Sequence, residues 1–203
     1  MDTVRLLQQE RADLAAFCWS LSPDDWERPS LCEGWRVRDV VAHVISVDDV
    51  PLRQHLVNFA RARLSADAFN AIGVDARKDW TTQRLTDELA RQVDVGRLSR
   101  LRRGMLALTD ALVHHQDIRR PLGRPRTIPN DRLLAVLMAP DPFAGTRRRM
   151  KGLRFVATDV DWSRGDGPEV RGPGEALIMS IHGRAAALAD LEGAGKDALA
   201  QRL

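Results

Sequence analysis

Three residues of the types that bind metal ions occur at a spacing that would bring their side chains together. Asp110 and His114 are four residues apart in a segment with helical periodicity, so both side chains lie on one helix face. His43 lies in a second helical segment, where apolar residues nearly surround it. Two imidazoles and one carboxylate, with further positions left to water or substrate, are typical of catalytic zinc. We therefore predict a metal site at His43, Asp110 and His114, with zinc expected and nickel or iron as alternatives.

Each of these residues also has an ordinary structural explanation. A histidine on an apolar helix face is often a hydrogen-bonded core group, and Asp110 with His114 could be a helix-surface pair worth about 0.2–0.5 kcal/mol. Asp117, three residues after His114, could accept a hydrogen bond from a ligand imidazole and so orient it. A salt bridge from Asp117 to Arg119 or Arg120 is an equal alternative.

Three segments of the sequence resemble the signatures of one enzyme family. The first runs from residue 26 to 43 and includes Cys32-Glu33-Gly34-Trp35, the second covers 110–123, and the third covers 157–184. Together and in this order they resemble the mycothiol-dependent maleylpyruvate isomerase family, which belongs to the DinB-like metalloprotein superfamily. The resemblance implies that His43, Asp110 and His114 bind a divalent metal, and that a low-molecular-weight thiol such as mycothiol is the cofactor.

The resemblance also implies an activity and further site residues. The expected activity is thiol-dependent isomerisation or S-transfer on a small electrophile, and the alternative is a non-catalytic metal-binding or regulatory protein. Arg119 and Arg184 are candidates to bind a carboxylate of the substrate or of the thiol, because guanidinium groups make bidentate contacts with carboxylates. Arg184 and Asp117 are the candidate catalytic residues. One residue departs from the family. The isomerase has a glutamate at the position of Asp110, and aspartate is one methylene shorter than glutamate.

Composition excludes some other classes of protein. A net charge of +3 on 203 residues is small, and the basic runs 100–103 and 147–151 contain no aromatic residue, so we expect no nucleic-acid partner. No apolar run approaches the ~20 residues of a membrane span, and the first residues do not resemble a secretory signal. The two cysteines, Cys18 and Cys32, match reduced thiols of a cytoplasmic protein. The sequence leaves a homodimer open.

Helical periodicity predicts a mainly α fold, with a DinB-like up-down four-helix bundle over residues 1–125. The predicted helices cover residues 3–21, 38–47 (with a continuation to 65 that Pro51 would interrupt), 81–95 and 99–120. Residues 22–35 and 66–78 are predicted as loops, the former with a turn capped by Ser22. A small α/β domain is predicted over residues 126–203. Its predicted elements are helices at 129–139, 175–181 and 184–191, a strand at 153–158, and a hairpin partner at 169–171.

Overall fold

The computed structural model describes residues 2–46, 52–63, 65–96, 100 and 104–203. Backbone contacts divide the described chain into two compact units, residues 2–125 and 126–203. The first unit is helical and the second contains a small sheet, which confirms the predicted mainly α fold class. That each unit folds by itself, as separate domains would, stays a prediction. In the part of the chain that is described, no helix is long and apolar enough to cross a bilayer.

A four-helix bundle forms the body of the first unit. Its helices are α1 (Thr3–Trp19), α2 (Pro23–Glu27), α3 (Val37–Ser46), α4 (Leu52–Arg61), α5 (Ala66–Asp75), α6 (Thr82–Arg91) and α7 (Met105–Leu122). The bundle consists of α1, α3, α6 and α7, each of which packs against two of the others. Leu14, Val41, Leu89 and Ile118, one from each of these helices, are fully buried in its core. Burial of such apolar side chains is the main force that holds the bundle together.

The predicted Ser22 cap is found in the structure, whereas the helix end predicted at residue 120 is two residues too early. The Ser22 hydroxyl accepts from the Asp25 amide, the Asp25 carboxylate accepts from the Ser22 amide, and Pro23 occupies the first turn of α2. Helix α7 continues two residues beyond the predicted end and includes Pro121 in its last turn, where the missing amide proton leaves one helical hydrogen bond unmade. Gly123, with a φ of 66°, then terminates α7.

The loop predicted at residues 66–78 is wrong, because most of it is helix α5. The Ser65 hydroxyl caps this helix by accepting from the Ala68 amide at 3.3 Å. Gly73 lowers the helical propensity of the segment, but a Cβ at this position would lie 2.9 Å from the Ser46 hydroxyl. The glycine therefore allows α5 to pack closely on α3. Pro51 and the start predicted for the fourth helix lie outside the described residues.

The second unit contains a three-stranded sheet and short helices. Its elements are α8 (Asn130–Met138), α9 (Thr146–Met150), β1 (Arg154–Ala157), β2 (Ser163–Arg164), β3 (Glu169–Gly172), α10 (Gly174–Ile181) and α11 (Lys196–Ala200), with 3₁₀ helices at Pro142–Ala144 and Ala185–Asp190. The predicted hairpin is wrong, because β3 pairs with β1 in parallel and β2 is the antiparallel partner. The chain turns back at residues 158–162, which is earlier than predicted. A hydrogen bond from the Ala157 amide to the Trp162 carbonyl closes this turn.

Candidate metal centre

The structure brings His43, Asp110 and His114 together at the contact between α3 and α7. The Nε2 atoms of His43 and His114 lie 3.5 and 3.4 Å from the same atom, Asp110 Oδ1. The two imidazole rings meet edge to face, with centroids 4.7 Å apart and an interplanar angle of 77°. One ligand atom from each residue lies within 4.8 Å of those of the others, so the three side chains could hold one ion.

The three side chains differ in their access to solvent. His43 is 5% exposed and His114 is 9% exposed, whereas the Asp110 side chain is 35% exposed. Burial opposes ionisation of Asp110, but the charges of His114 and His43 hold the pKa of its carboxyl well below the usual range. Burial likewise disfavours the charged form of His114, yet Asp110 raises the pKa of this imidazole well above its usual value. The carboxylate is therefore a charged group with one open side.

Asp117 fixes the orientation of His114. Its Oδ2 lies 2.9 Å from His114 Nδ1, and the Asp117 side chain is fully buried. A carboxylate at this distance keeps a proton on Nδ1, so Nε2 is the ring atom directed towards Asp110. His43 has no such support, because its Nδ1 is buried without a hydrogen-bond partner among the described residues. Its ring instead packs on Trp35, with centroids 5.3 Å apart.

Cys32 also contacts this group, which sequence reasoning missed. Its Sγ lies 3.2 Å from Asp117 Oδ2 and 3.6 Å from His114 Nδ1. Cys32 and His114 are 82 positions apart, so sequence spacing alone does not indicate their contact. Cys32, His114 and Asp117 form a second group whose ligand atoms lie within 4.8 Å of one another. Because a carboxylate only accepts, the thiol is the donor to Asp117.

One loop, residues 28–36, contacts both histidines. It presents Trp35 to His43 and Cys32 to His114, and a backbone bridge between Pro29 and Arg36 closes it. The loop attaches to α7 through a hydrogen bond of 3.0 Å from the Leu31 amide to the Asp117 carbonyl.

That carbonyl is available because of Pro121. Four residues after Asp117, Pro121 lacks the amide proton that would otherwise complete the helical hydrogen bond. The Leu31 amide takes its place, so a helix irregularity holds the loop beside the candidate ligands. Pro121, directly after the predicted end of the helix, is the sequence signal that could have indicated this docking point.

His115 and Arg119 face another part of the bundle, between α1 and α7. The Arg119 Nε donates to His115 Nε2 at 2.8 Å, and His115 Nδ1 lies 2.8 Å from Glu10 Oε1. Arg119 also bonds the Arg124 carbonyl and lies 3.7 Å from the centroid of the Phe17 ring. These contacts give Arg119 a structural role between α1 and α7, and its predicted role in cofactor binding stays a prediction.

Arg184 belongs to the second unit. It precedes the 3₁₀ helix Ala185–Asp190, and its Nη1 donates to the His182 carbonyl at 2.8 Å. The predicted catalytic and carboxylate-binding roles of Arg184 stay predictions.

Comparisons with known proteins agree with the helical fold. No curated protein matches the sequence. Among solved structures, a histidine-to-alanine mutant of the mycothiol-dependent maleylpyruvate isomerase superposes with a TM-score of 0.62 and 14% identity, over 96% of this chain and 92% of that one. At this identity the likeness shows the fold alone. The family model for the mycothiol maleylpyruvate isomerase N-terminal domain matches residues 7–119, more than half of the chain. The protein therefore belongs to the mycothiol maleylpyruvate isomerase N-terminal domain family.

Proposed function

We propose that this protein is a metal-dependent enzyme that uses a low-molecular-weight thiol such as mycothiol. The thiol serves either to isomerise a small electrophilic substrate or to form a new carbon–sulfur bond to it by S-transfer. The observation that carries the proposal is the convergence of His43 Nε2 and His114 Nε2 on Asp110 Oδ1. Membership of the isomerase family supports the thiol and the reaction type. The metal, its ligands and the activity are all part of this proposal.

The distances among the three side chains fit a metal ion. Separations of 3.4 and 3.5 Å are longer than the ~2.7–3.2 Å of good N–H···O bonds. Tetrahedral coordination with bonds of about 2.1 Å places two donor atoms roughly 3.4 Å apart. Asp117 holds the Nδ1 proton of His114, so Nε2 and Asp110 Oδ1 face each other across a positive charge: the second proton that the raised pKa of His114 retains, or a metal ion that would replace it. Zinc suits this set best, with nickel or iron as alternatives.

The shorter side chain of Asp110 does not prevent a shared ion. A single oxygen, Oδ1, approaches both imidazoles, so the approach of α3 and α7 compensates for the methylene that aspartate lacks relative to glutamate. The 35% exposure of Asp110 leaves one side of the site open for a small molecule. Burial of both histidines excludes water from the other sides.

The residues around the ligands prepare them for the reaction. An ion bound here would bind the thiol sulfur and remove its proton at neutral pH. Asp117 holds the Nδ1 proton of His114 and so directs Nε2 into the site, which makes it a positioning residue. Trp35 restricts the ring of His43. In an isomerisation, the thiolate adds to a conjugated double bond, the resulting single bond rotates, and expulsion of the thiolate restores the double bond with no net change in atoms or electrons.

The test starts with metal content and then adds the thiol. We expect the purified protein to contain or take up about one zinc per chain by elemental analysis, and the zinc-loaded protein to isomerise maleylpyruvate only when mycothiol is present. A protein that takes up no divalent metal contradicts the metal proposal. One that binds zinc but shows no thiol-dependent turnover on maleylpyruvate or a model electrophile is a metal-binding protein without this activity.

A further inference from the structure

The imidazole of His114 has candidate metal ligands on both of its nitrogens. Its Nδ1 lies 3.6 Å from Cys32 Sγ and 2.9 Å from Asp117 Oδ2, and the sulfur lies 3.2 Å from that oxygen. A thiol, an imidazole and a carboxylate are the side-chain types that bind zinc and softer ions. We call Cys32, His114 Nδ1 and Asp117 the thiol triad. It is separate from the position at Asp110, which faces Nε2 of the same ring.

The separations within the thiol triad are close to those of a tetrahedral metal site. Bonds of about 2.3 Å to sulfur and about 2.0 Å to nitrogen and oxygen place the sulfur roughly 3.5 Å from each of the other two atoms, and those two roughly 3.3 Å apart. The observed 3.6, 3.2 and 2.9 Å are near these values. Small side-chain movements therefore suffice to replace the hydrogen bonds of the triad by bonds to an ion.

An ion of charge +2 would balance the charge of the thiol triad. A coordinated thiol loses its proton, so Cys32 and Asp117 would together supply two negative charges and the imidazole none. The Asp117 side chain is fully buried, and a buried site without net charge costs less to desolvate than a charged one. The Asp110 position has one carboxylate and two imidazoles, so the same ion would leave it with a net positive charge.

The backbone around Cys32 holds the sulfur in place. The Cys32 amide donates to Ser30 Oγ at 3.1 Å, and the Cys32 carbonyl accepts from the Trp35 amide at 3.0 Å. The Leu31 amide donates to the Asp117 carbonyl at 3.0 Å and so fixes the loop to the helix that carries the other two ligands. Ligands held in this way are already arranged for an ion. Cys32 is partly exposed, so an ion can approach the sulfur from solvent.

A single imidazole cannot serve both positions at once. An imidazole bound to one metal ion has given its only lone pair and keeps its N–H on the other nitrogen. An ion bound to Nδ1 therefore leaves a proton on Nε2, which faces Asp110 at 3.4 Å. An ion at the thiol triad and an ion at the Asp110 position should exclude one another.

We propose that the thiol triad is a second metal position, which takes a thiophilic divalent ion such as cadmium and excludes the ion from the Asp110 position. Soft ions favour it because thiolate is the softest ligand that the two positions offer. On binding, the Cys32 thiol proton and the His114 Nδ1 proton pass to solvent. This binding needs neither a thiol cofactor nor turnover, so it goes beyond the proposed function, and in the enzyme a thiophilic ion would act as an inhibitor.

The experiment titrates metal-free protein with cadmium and follows the ultraviolet absorption of the cadmium–thiolate bond. We expect saturation at about one cadmium per chain in the wild type. Cys32→Ser should lose the band and bind cadmium at least about tenfold more weakly. Serine keeps a hydroxyl donor beside Asp117, so this loss measures the sulfur and not the hydrogen bond.

Cys18→Ala is the matched control, because it removes the other cysteine of the chain. Burial raises the pKa of the Cys18 thiol to about 12, and Cys18 belongs to no group of candidate metal ligands among the described residues. The cadmium band and the cadmium affinity of this variant should match those of the wild type. Asp110→Asn leaves the thiol triad intact and should also keep the band.

Competition with zinc tests the exclusion. Zinc should displace cadmium less effectively from Asp110→Asn than from the wild type, because the competing zinc loses its carboxylate ligand. Equal displacement from both proteins, or zinc and cadmium bound together on one wild-type chain, overturns the exclusion. A wild type without the cadmium–thiolate band, or a Cys32→Ser protein that keeps it, overturns the second position.

The same measurements distinguish this inference from the proposed function. If cadmium binds through Cys32 but the zinc-loaded protein shows no thiol-dependent turnover, the proposed function fails and the second metal position stands. If the zinc-loaded protein turns over substrate but cadmium gives no thiolate band, the thiol triad is a hydrogen-bonded structural group and the proposed function stands.

Discussion

Two consecutive histidines of α7 show how the same side chain serves structure on one helix face and a candidate reactive site on the other. His115 is fully buried between α1 and α7, where both of its ring nitrogens have close partners at 2.8 Å. His114 has one close partner, Asp117, while its Nε2 meets only an acceptor, Asp110, at 3.4 Å. The difference lies in hydrogen-bond satisfaction and not in burial.

This contrast identifies which histidine has capacity left for an ion. Arg119 donates to His115, so the His115 proton is on Nδ1 and donates in turn to Glu10, which leaves no lone pair free. His114 also carries a proton on Nδ1, but its Nε2 faces the Asp110 carboxylate at 3.4 Å, where the raised pKa of His114 places a second proton in the absence of an ion. A buried polar group in that position is unfavourable unless a cation or a proton is shared. A histidine whose two ring nitrogens both have close hydrogen-bond partners is therefore structural. A histidine whose Nε2 faces a carboxylate is a candidate metal ligand.

The strongest test of the contrast removes the candidate ligand. His114→Ala should lower zinc affinity by about 3–5 kcal/mol, roughly a third of the ~10–16 kcal/mol of a structural zinc site, and abolish thiol-dependent turnover. The apolar core of the bundle does not involve this imidazole, so the circular dichroism spectrum should remain that of a folded helical protein. Zinc binding at wild-type affinity in a folded His114→Ala protein would contradict the proposed site.

The matched test breaks the structural network on the other face. Glu10→Ala leaves the buried His115 without the carboxylate that accepts from its Nδ1, and a buried donor left without its partner typically costs about 1–3 kcal/mol. We expect this loss in the free energy of unfolding by urea. Zinc affinity of the folded variant should match that of the wild type, and a large loss of zinc affinity would mean that the two faces are coupled.

The sequence contained enough information to predict the bundle and the convergence of His43, Asp110 and His114, whose role as metal ligands stays a prediction. Asp110 and His114 are local partners on one helix, so their spacing alone predicts a shared face. The family signature around His43 supplied the third residue, which periodicity could not place against α7. Helices α1, α3, α6 and α7 follow from apolar periodicity because their buried faces are continuous.

Features that depend on long-range packing could not be predicted in the same way. Gly73 lowers the propensity of α5, and only its contact with Ser46 explains why the helix forms there. The early turn at residues 158–162, which contains no glycine or proline, makes β2 and not β3 the antiparallel partner of β1. Cys32 and Asp117 are 85 positions apart in the sequence. The loop that brings Cys32 to Asp117 is held by the Asp117 carbonyl, which lacks a helical donor because residue 121 is proline.

A smaller effect is expected from the residue that orients His114. Asp117→Asn can still accept from Nδ1, but it loses the negative charge that strengthens the ligand imidazole. Removing such a partner of a ligand typically weakens metal binding about 10–100-fold. Competition with a zinc chelator measures this loss, and the absorption spectrum of the cobalt-substituted protein should shift because the ligand field changes. An unchanged affinity and spectrum would leave Asp117 with a purely structural role.

The smallest effect is expected at Cys32, which acts on the site through Asp117. Its thiol donates to Asp117 Oδ2, so Cys32→Ser keeps a donor at the same place, whereas Cys32→Val keeps the approximate volume and removes it. Zinc affinity and turnover should be near wild type in Cys32→Ser and change only a few-fold in Cys32→Val. The cobalt spectrum should follow the same order, because the hydrogen bond and not the sulfur atom is what the site needs. If Cys32→Ser loses activity while His114→Ala keeps it, the reacting sulfur belongs to the chain, and the protein is a cysteine enzyme.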